Sequence, residues 1–140
     1  MKTIAVDFDG TIVEHAYPAI GKERPFAIQT LKRLQEEGFL LILWTARSGQ
    51  LLDEAVAWCA SRGLRFWAVN AEYPDEDVHT PLRRKVVADY YVDDRNMGGL
   101  PDWGVIYAVI TGQTVPVYDY KMPKMKRLGF MARLKLLLGR

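Results

Sequence analysis

A single cysteine, Cys59, excludes a disulfide framework and any zinc site built from cysteine. No histidine or basic cluster flanks it in the chain to activate the thiol, so Cys59 is expected to be a small core residue on a helix, as suits a reducing compartment. Histidine is nearly as scarce. His15 and His79 have no partner at metal-ligand spacing, and both are expected on the surface. Long apolar runs are missing too. The longest uncharged stretch, Trp103 to Tyr118, is broken by Gly112, Gln113 and Pro116 and falls short of the roughly 20 residues that span a bilayer. Asp7 stands where a secretion signal would carry its apolar run, so a cytoplasmic protein is expected.

What is present is ordinary for a globular domain: 49% hydrophobic and 26% charged residues in 140, enough chain for one core and not for two. The net charge of +2 conceals an asymmetry. Lys121, Lys124, Lys126, Arg127, Arg133, Lys135 and Arg140 stand in a C-terminal stretch without acids, which leaves residues 1–120 net acidic. The chain therefore divides into a core, 1–120, and a basic tail or helix, 121–140. Residues 124–138 have the make-up of a basic amphipathic helix, suited to an anionic surface, to docking on the acidic body, or to a neighbouring subunit in a homo-oligomer. Gly129 weakens such a helix by about 1 kcal/mol. Phe130 is its one aromatic residue, so the nucleic-acid signal is not strong.

Short apolar runs alternate with helical periodicity, which predicts an α/β fold: a single Rossmann-like, three-layer domain around a mainly parallel central sheet. Strands are expected over Thr3–Phe8, Phe39–Trp44, Leu64–Val69 and Asp89–Val92, with an edge strand over Thr114–Tyr118, where Pro116 excludes a central place. Helices are expected over Pro25–Glu37, closed by Gly38, from Ser48 or Gly49 to Arg62, and over Trp103–Thr111. In the second of these, Leu51, Leu52, Ala55, Val56 and Cys59 share a face. Leu82–Val87 reads as a short helix or turn, and Trp103 as core.

Three strands end in polar residues, all at carboxyl ends, where open parallel sheets form their sites. The first ends Asp7-Phe8-Asp9-Gly10-Thr11, the second Thr45-Ala46-Arg47, and the fourth Asp93-Asp94-Arg95-Asn96. If these strands are neighbours, four carboxylates converge. Two like charges 4 Å apart repel by about 4 kcal/mol at an effective dielectric of 20, so a cation belongs among them. Oxygen ligands without cysteine or histidine favour Mg²⁺.

In this ordered set the chain resembles the haloacid dehalogenase (HAD) superfamily of phosphohydrolases, over residues 3 to about 102. Ile4-Ala5-Val6-Asp7-Phe8-Asp9-Gly10-Thr11-Ile12-Val13 is similar to the first family motif, Leu41-Ile42-Leu43-Trp44-Thr45 to the second, and Tyr91-Val92-Asp93-Asp94 to the fourth. Lys85 stands for the third, chosen over Arg83 and Arg84 because it lies one short turn and one strand before Asp93. The resemblance implies a Mg²⁺-dependent phosphomonoester hydrolase. In it Asp7 attacks phosphorus to form an aspartyl-phosphate, and Asp9 serves as acid and then base. Thr45 would hydrogen-bond the phosphoryl oxygens and Lys85 would neutralise charge. Mg²⁺ would be held by Asp7, the Asp9 carbonyl and Asp93 or Asp94. Gly10, Thr11, Ala46 and Arg47 are expected at the substrate, with Arg47 equally able to cap the next helix.

The spacing leaves no room for an inserted cap domain, so a capless member is expected, with Glu14–Arg24 and Ala71–Pro81 as candidates for a partial lid. The substrate is a phosphorylated compound whose identity stays open. Phosphotransfer to another acceptor uses the same intermediate, and a binding or regulatory module working through the basic tail is the non-enzymatic alternative. A response-regulator receiver domain carries similar residues in a different order, with the acidic pair early, and is excluded.

Overall fold

The computed structural model describes residues 1–76 and 85–114. Four strands, β1 (Thr3–Val6), β2 (Leu40–Leu43), β3 (Ala68–Val69) and β4 (Tyr90–Val92), form one sheet in the order β3-β2-β1-β4. Every pairing is parallel, with Val6 opposite Leu43 on one side and Val92 on the other. The fold is thus a small α/β domain of Rossmann-like kind, as the alternation of patterns implied. β1 and β2 are buried along almost their whole length, which is why they read as unbroken apolar runs rather than alternating ones.

Helices α1 (Ala27–Glu36), α2 (Gly49–Ala60) and α3 (Trp103–Thr111) follow β1, β2 and β4. Leu31 and Leu34 of α1, Ala55 and Cys59 of α2, and Trp103, Ile106 and Ile110 of α3 join Ile4, Val6, Leu41, Leu43 and Val92 in one buried cluster. Because side chains alternate across a strand, Ile42 lies on the opposite face, where it meets Ala68, Ala71 and Val86, with Trp44 packed against them. The described helices therefore cover one face of the sheet.

The helix starting at Pro25 in the sequence reading begins two residues later. Phe26 has φ 66°, a left-handed conformation that interrupts the helical run before Ala27. α3 keeps its expected bounds: the Asp102 carboxylate accepts the Gly104 N–H at 2.8 Å, and Gly112, at φ 71°, ends it. The third strand shrinks to Ala68–Val69, with Leu64 buried ahead of it. Most of the expected edge strand, 115–118, lies outside the described residues, as do His79, Arg83, Arg84 and the basic tail. No helix among the described residues is long and apolar enough to cross a membrane.

Candidate active site

The strand order puts β1 between β2 and β4, so the three polar carboxyl ends meet. Asp7, the first residue past β1, is tied on one side by its N–H to the Val92 carbonyl at 3.0 Å, while Trp44 N–H reaches the Val6 carbonyl at 2.8 Å on the other. One oxygen each of Asp7, Asp93 and Asp94 lie within 4.8 Å of one another. Burial pushes the Asp7 carboxyl up to about 7, against the lowering effect of the Phe8 backbone N–H and with the charges of Asp93, Asp94 and Asp9 adding to the rise. Without a compensating positive charge, such a group resists ionising.

After Asp7 the chain makes a tight turn. The N–H groups of Thr11, Ile12 and Val13 all lie within 3.3 Å of the Phe8 carbonyl, and Gly10 N–H donates to the Val13 carbonyl at 2.7 Å. Gly10 has φ +87°, and a Cβ there would sit 2.3 Å from His15 Nε2 and 2.4 Å from Asp94 Oδ2. Only glycine lets the backbone approach this pair. Thr11 is wholly buried, and its hydroxyl accepts the Asp94 N–H at 3.0 Å. Gly10 and Thr11, expected at the substrate, are instead spent inside the turn: one makes room for Asp94 and the other anchors it.

The two acids of the last motif separate in role. Asp93 lines a cleft of about 1760 Å³ together with Asp7, Asp9, Thr45, Ala46 and Lys85. Its Oδ1 accepts the Arg95 N–H at 2.7 Å. Asp94 keeps one oxygen near Asp7 and Asp93 and also meets a histidine. Its Oδ2 is 2.8 Å from His15 Nε2, and its Oδ1 is buried without a hydrogen-bond partner. His15 is exposed, as expected of a surface residue, yet it touches the acid cluster.

Thr45 is placed by two neighbours. Its N–H donates to Asn70 Oδ1 at 2.9 Å, and its hydroxyl accepts the Arg47 N–H at 3.2 Å. Asn70 escaped the sequence reading, although it too stands at the carboxyl end of a strand, β3, in a left-handed conformation with φ 51°. Lys85 reaches the cleft with its Nζ 4.7 Å from the centre of the Tyr91 ring. Ala46 is exposed on the rim.

Arg47 is the largest departure from expectation. It is 1% exposed and grips Asp9 with two prongs, Nε to Oδ2 and Nη2 to Oδ1, both at 2.7 Å. It also donates to the carbonyls of Pro18 at 3.0 Å and Ala19 at 2.8 Å. The hydrogen bond to Asp9 holds the guanidinium above its already high range, outweighing the effect of burial. Arg47 does not cap α2, whose N-cap is Ser48; it borders the cleft with its guanidinium bound to Asp9. The segment it holds folds back on itself, with Glu14 N–H on the Lys22 carbonyl at 2.8 Å and Arg24 N–H on the Ile12 carbonyl at 2.9 Å.

No family model matches the chain, and no curated protein does. A solved structure does: "Structure of the conserved protein coded by locus from Bacteroides thetaiotaomicron" is 57% identical, with a TM-score of 0.76, over 85% of this chain and 97% of that one.

Proposed function

The chain belongs to the family of that conserved Bacteroides thetaiotaomicron protein, and from its site we propose that it is a HAD-type, Mg²⁺-dependent phosphomonoesterase acting through an aspartyl-phosphate on Asp7. The observation that carries this reading is the meeting of Asp7, Asp93 and Asp94 within 4.8 Å, beside Asp9, Thr45 and Lys85 on one cleft. An all-oxygen donor set suits a hard divalent cation, and the orphaned, buried Asp94 Oδ1 is an acceptor in want of a positive partner. Asp7, Asp93 and Asp94 would hold Mg²⁺, which when bound neutralises their charge and that of the phosphoryl oxygens.

This chain's own residues do the rest. A carboxylate oxygen of Asp7 bonds to phosphorus as the bond to the leaving alcohol oxygen breaks, and Asp9 gives that oxygen its proton. Asp9 then takes a proton from water, whose oxygen bonds to phosphorus as the acyl-phosphate P–O bond breaks, releasing inorganic phosphate and restoring Asp7. The Thr45 hydroxyl and the Lys85 ammonium face the phosphoryl oxygens from the cleft wall.

The deciding experiment is phosphate release from an aryl phosphate, with Mg²⁺ and with chelator, for wild type and Asp7→Asn. Release that needs metal and disappears in Asp7→Asn is expected. Wild type that neither releases phosphate nor binds beryllium fluoride, a mimic of phosphorylated aspartate, overturns the reading.

A further inference from the structure

The geometry points to Arg47 as a positioning residue that sets the pose of Asp9 and ties it to the 14–24 segment through one guanidinium. The inference rests on the phosphatase reading for its kinetic consequences, but the contacts stand apart from it. Four of the five guanidinium N–H donors are committed: two to the Asp9 carboxylate, one to the Pro18 carbonyl and one to the Ala19 carbonyl. The group is closed between the Phe8 and Tyr17 rings, whose centres lie 5.1 and 5.3 Å from its central carbon. It borders the cleft, but at 1% exposure only one Nη1 N–H is left uncommitted, so its main work is to hold Asp9 and the 14–24 segment.

A two-pronged contact fixes both the position and the plane of a carboxylate, which a single ammonium cannot do. The Pro18 and Ala19 carbonyls fix the guanidinium in turn. When one Asp9 oxygen leaves Arg47 to handle a proton, the cation therefore stays where it is, and the carboxylate returns to a set place. The same bonds make the segment around Pro18 and Ala19 part of the site's framework: moving it would take away half of Arg47's partners and let Asp9 drift.

The test is a double-mutant cycle of Arg47→Lys and Asp9→Asn, read in aryl phosphate hydrolysis with Mg²⁺. Arg47→Lys keeps the charge and loses the fork, and it should lower kcat by about 10–100-fold, the usual effect of removing an orienting partner. KM should stay within about twofold, because no ground-state substrate contact is lost. In the Asp9→Asn background the same substitution should change kcat little, since its effect passes through the carboxylate. A raised KM with kcat kept, or an undiminished effect in the Asp9→Asn background, overturns the inference. Should Arg47→Lys fail to fold, Tyr17→Ala, at an exposed residue on the other side of the guanidinium, carries the same expectation at a smaller size.

Hydrogen exchange of residues 14–24 separates this inference from the phosphatase reading. Faster exchange in Arg47→Lys than in wild type supports the tie even if no phosphate is ever released. Unchanged exchange in folded Arg47→Lys overturns it, whatever the kinetics show.

Discussion

The Thr11 hydroxyl accepts the backbone N–H of Asp94 at 3.0 Å, joining the turn after β1 to the end of β4 across 83 positions of chain. Thr11 is fully buried, and removing its hydroxyl takes from that N–H the partner it has. Thr11→Val, nearly the same shape without the acceptor, should cost about 1–3 kcal/mol of stability in urea unfolding. Thr11→Ser, which keeps the oxygen, should lose less. Equal losses in the two variants would show that the methyl group, not the hydrogen bond, matters.

Gly10 places a further demand on the same corner. At φ +87°, with His15 Nε2 and Asp94 Oδ2 within 2.4 Å of where a Cβ would stand, Gly10→Ala combines backbone strain with a collision. The strain alone is worth about 1–2 kcal/mol. The expected result is a lowered melting temperature and a weakened response of that temperature to added Mg²⁺, because Asp94 must move. A fully native response to Mg²⁺ would show that Asp94 has room to yield.

The acid cluster predicts a pH dependence for the metal-free protein. Asp7 is raised from 3.8 to about 7 in the native state, chiefly by burial. Between those two values the folded protein holds a proton that the unfolded chain has released. Its stabilising contribution is therefore complete below the lower value and is lost as pH rises through about 7. Thermal melts in chelator should show stability falling between about pH 4 and 7, with a smaller fall in Asp7→Asn. Added Mg²⁺ should restore wild type at pH 8.

Cys59 is buried on α2 and burial pushes its thiol up to about 12, so the reactive thiolate is scarce at neutral pH. A disulfide reagent at pH 8 should leave the native protein unmodified and react in step with urea unfolding. Fast reaction without urea would mean that α2 opens locally.

The residue pattern alone determined the kind of fold and the acids worth watching. Unbroken apolar runs at β1 and β2 can be accommodated only by strands buried on both faces, and Asp7, Asp9, Asp93 and Asp94 follow strands directly, so their place at carboxyl ends is a matter of local sequence. Tertiary structure decided what each does. That β1 lies between β2 and β4 brings Asp7 to Asp93 and Asp94, a pairing of segments more than 80 residues apart that no local preference encodes. Arg47 faces Asp9 because the 14–24 segment folds back to offer it the Pro18 and Ala19 carbonyls, and backbone carbonyls leave no mark in a sequence. Asn70 and Thr11 likewise act through a single backbone N–H on another strand's end. Burial and chain spacing are written in side-chain type and order. The partner of a hydrogen bond is not, because it depends on which segments the folded sheet sets side by side.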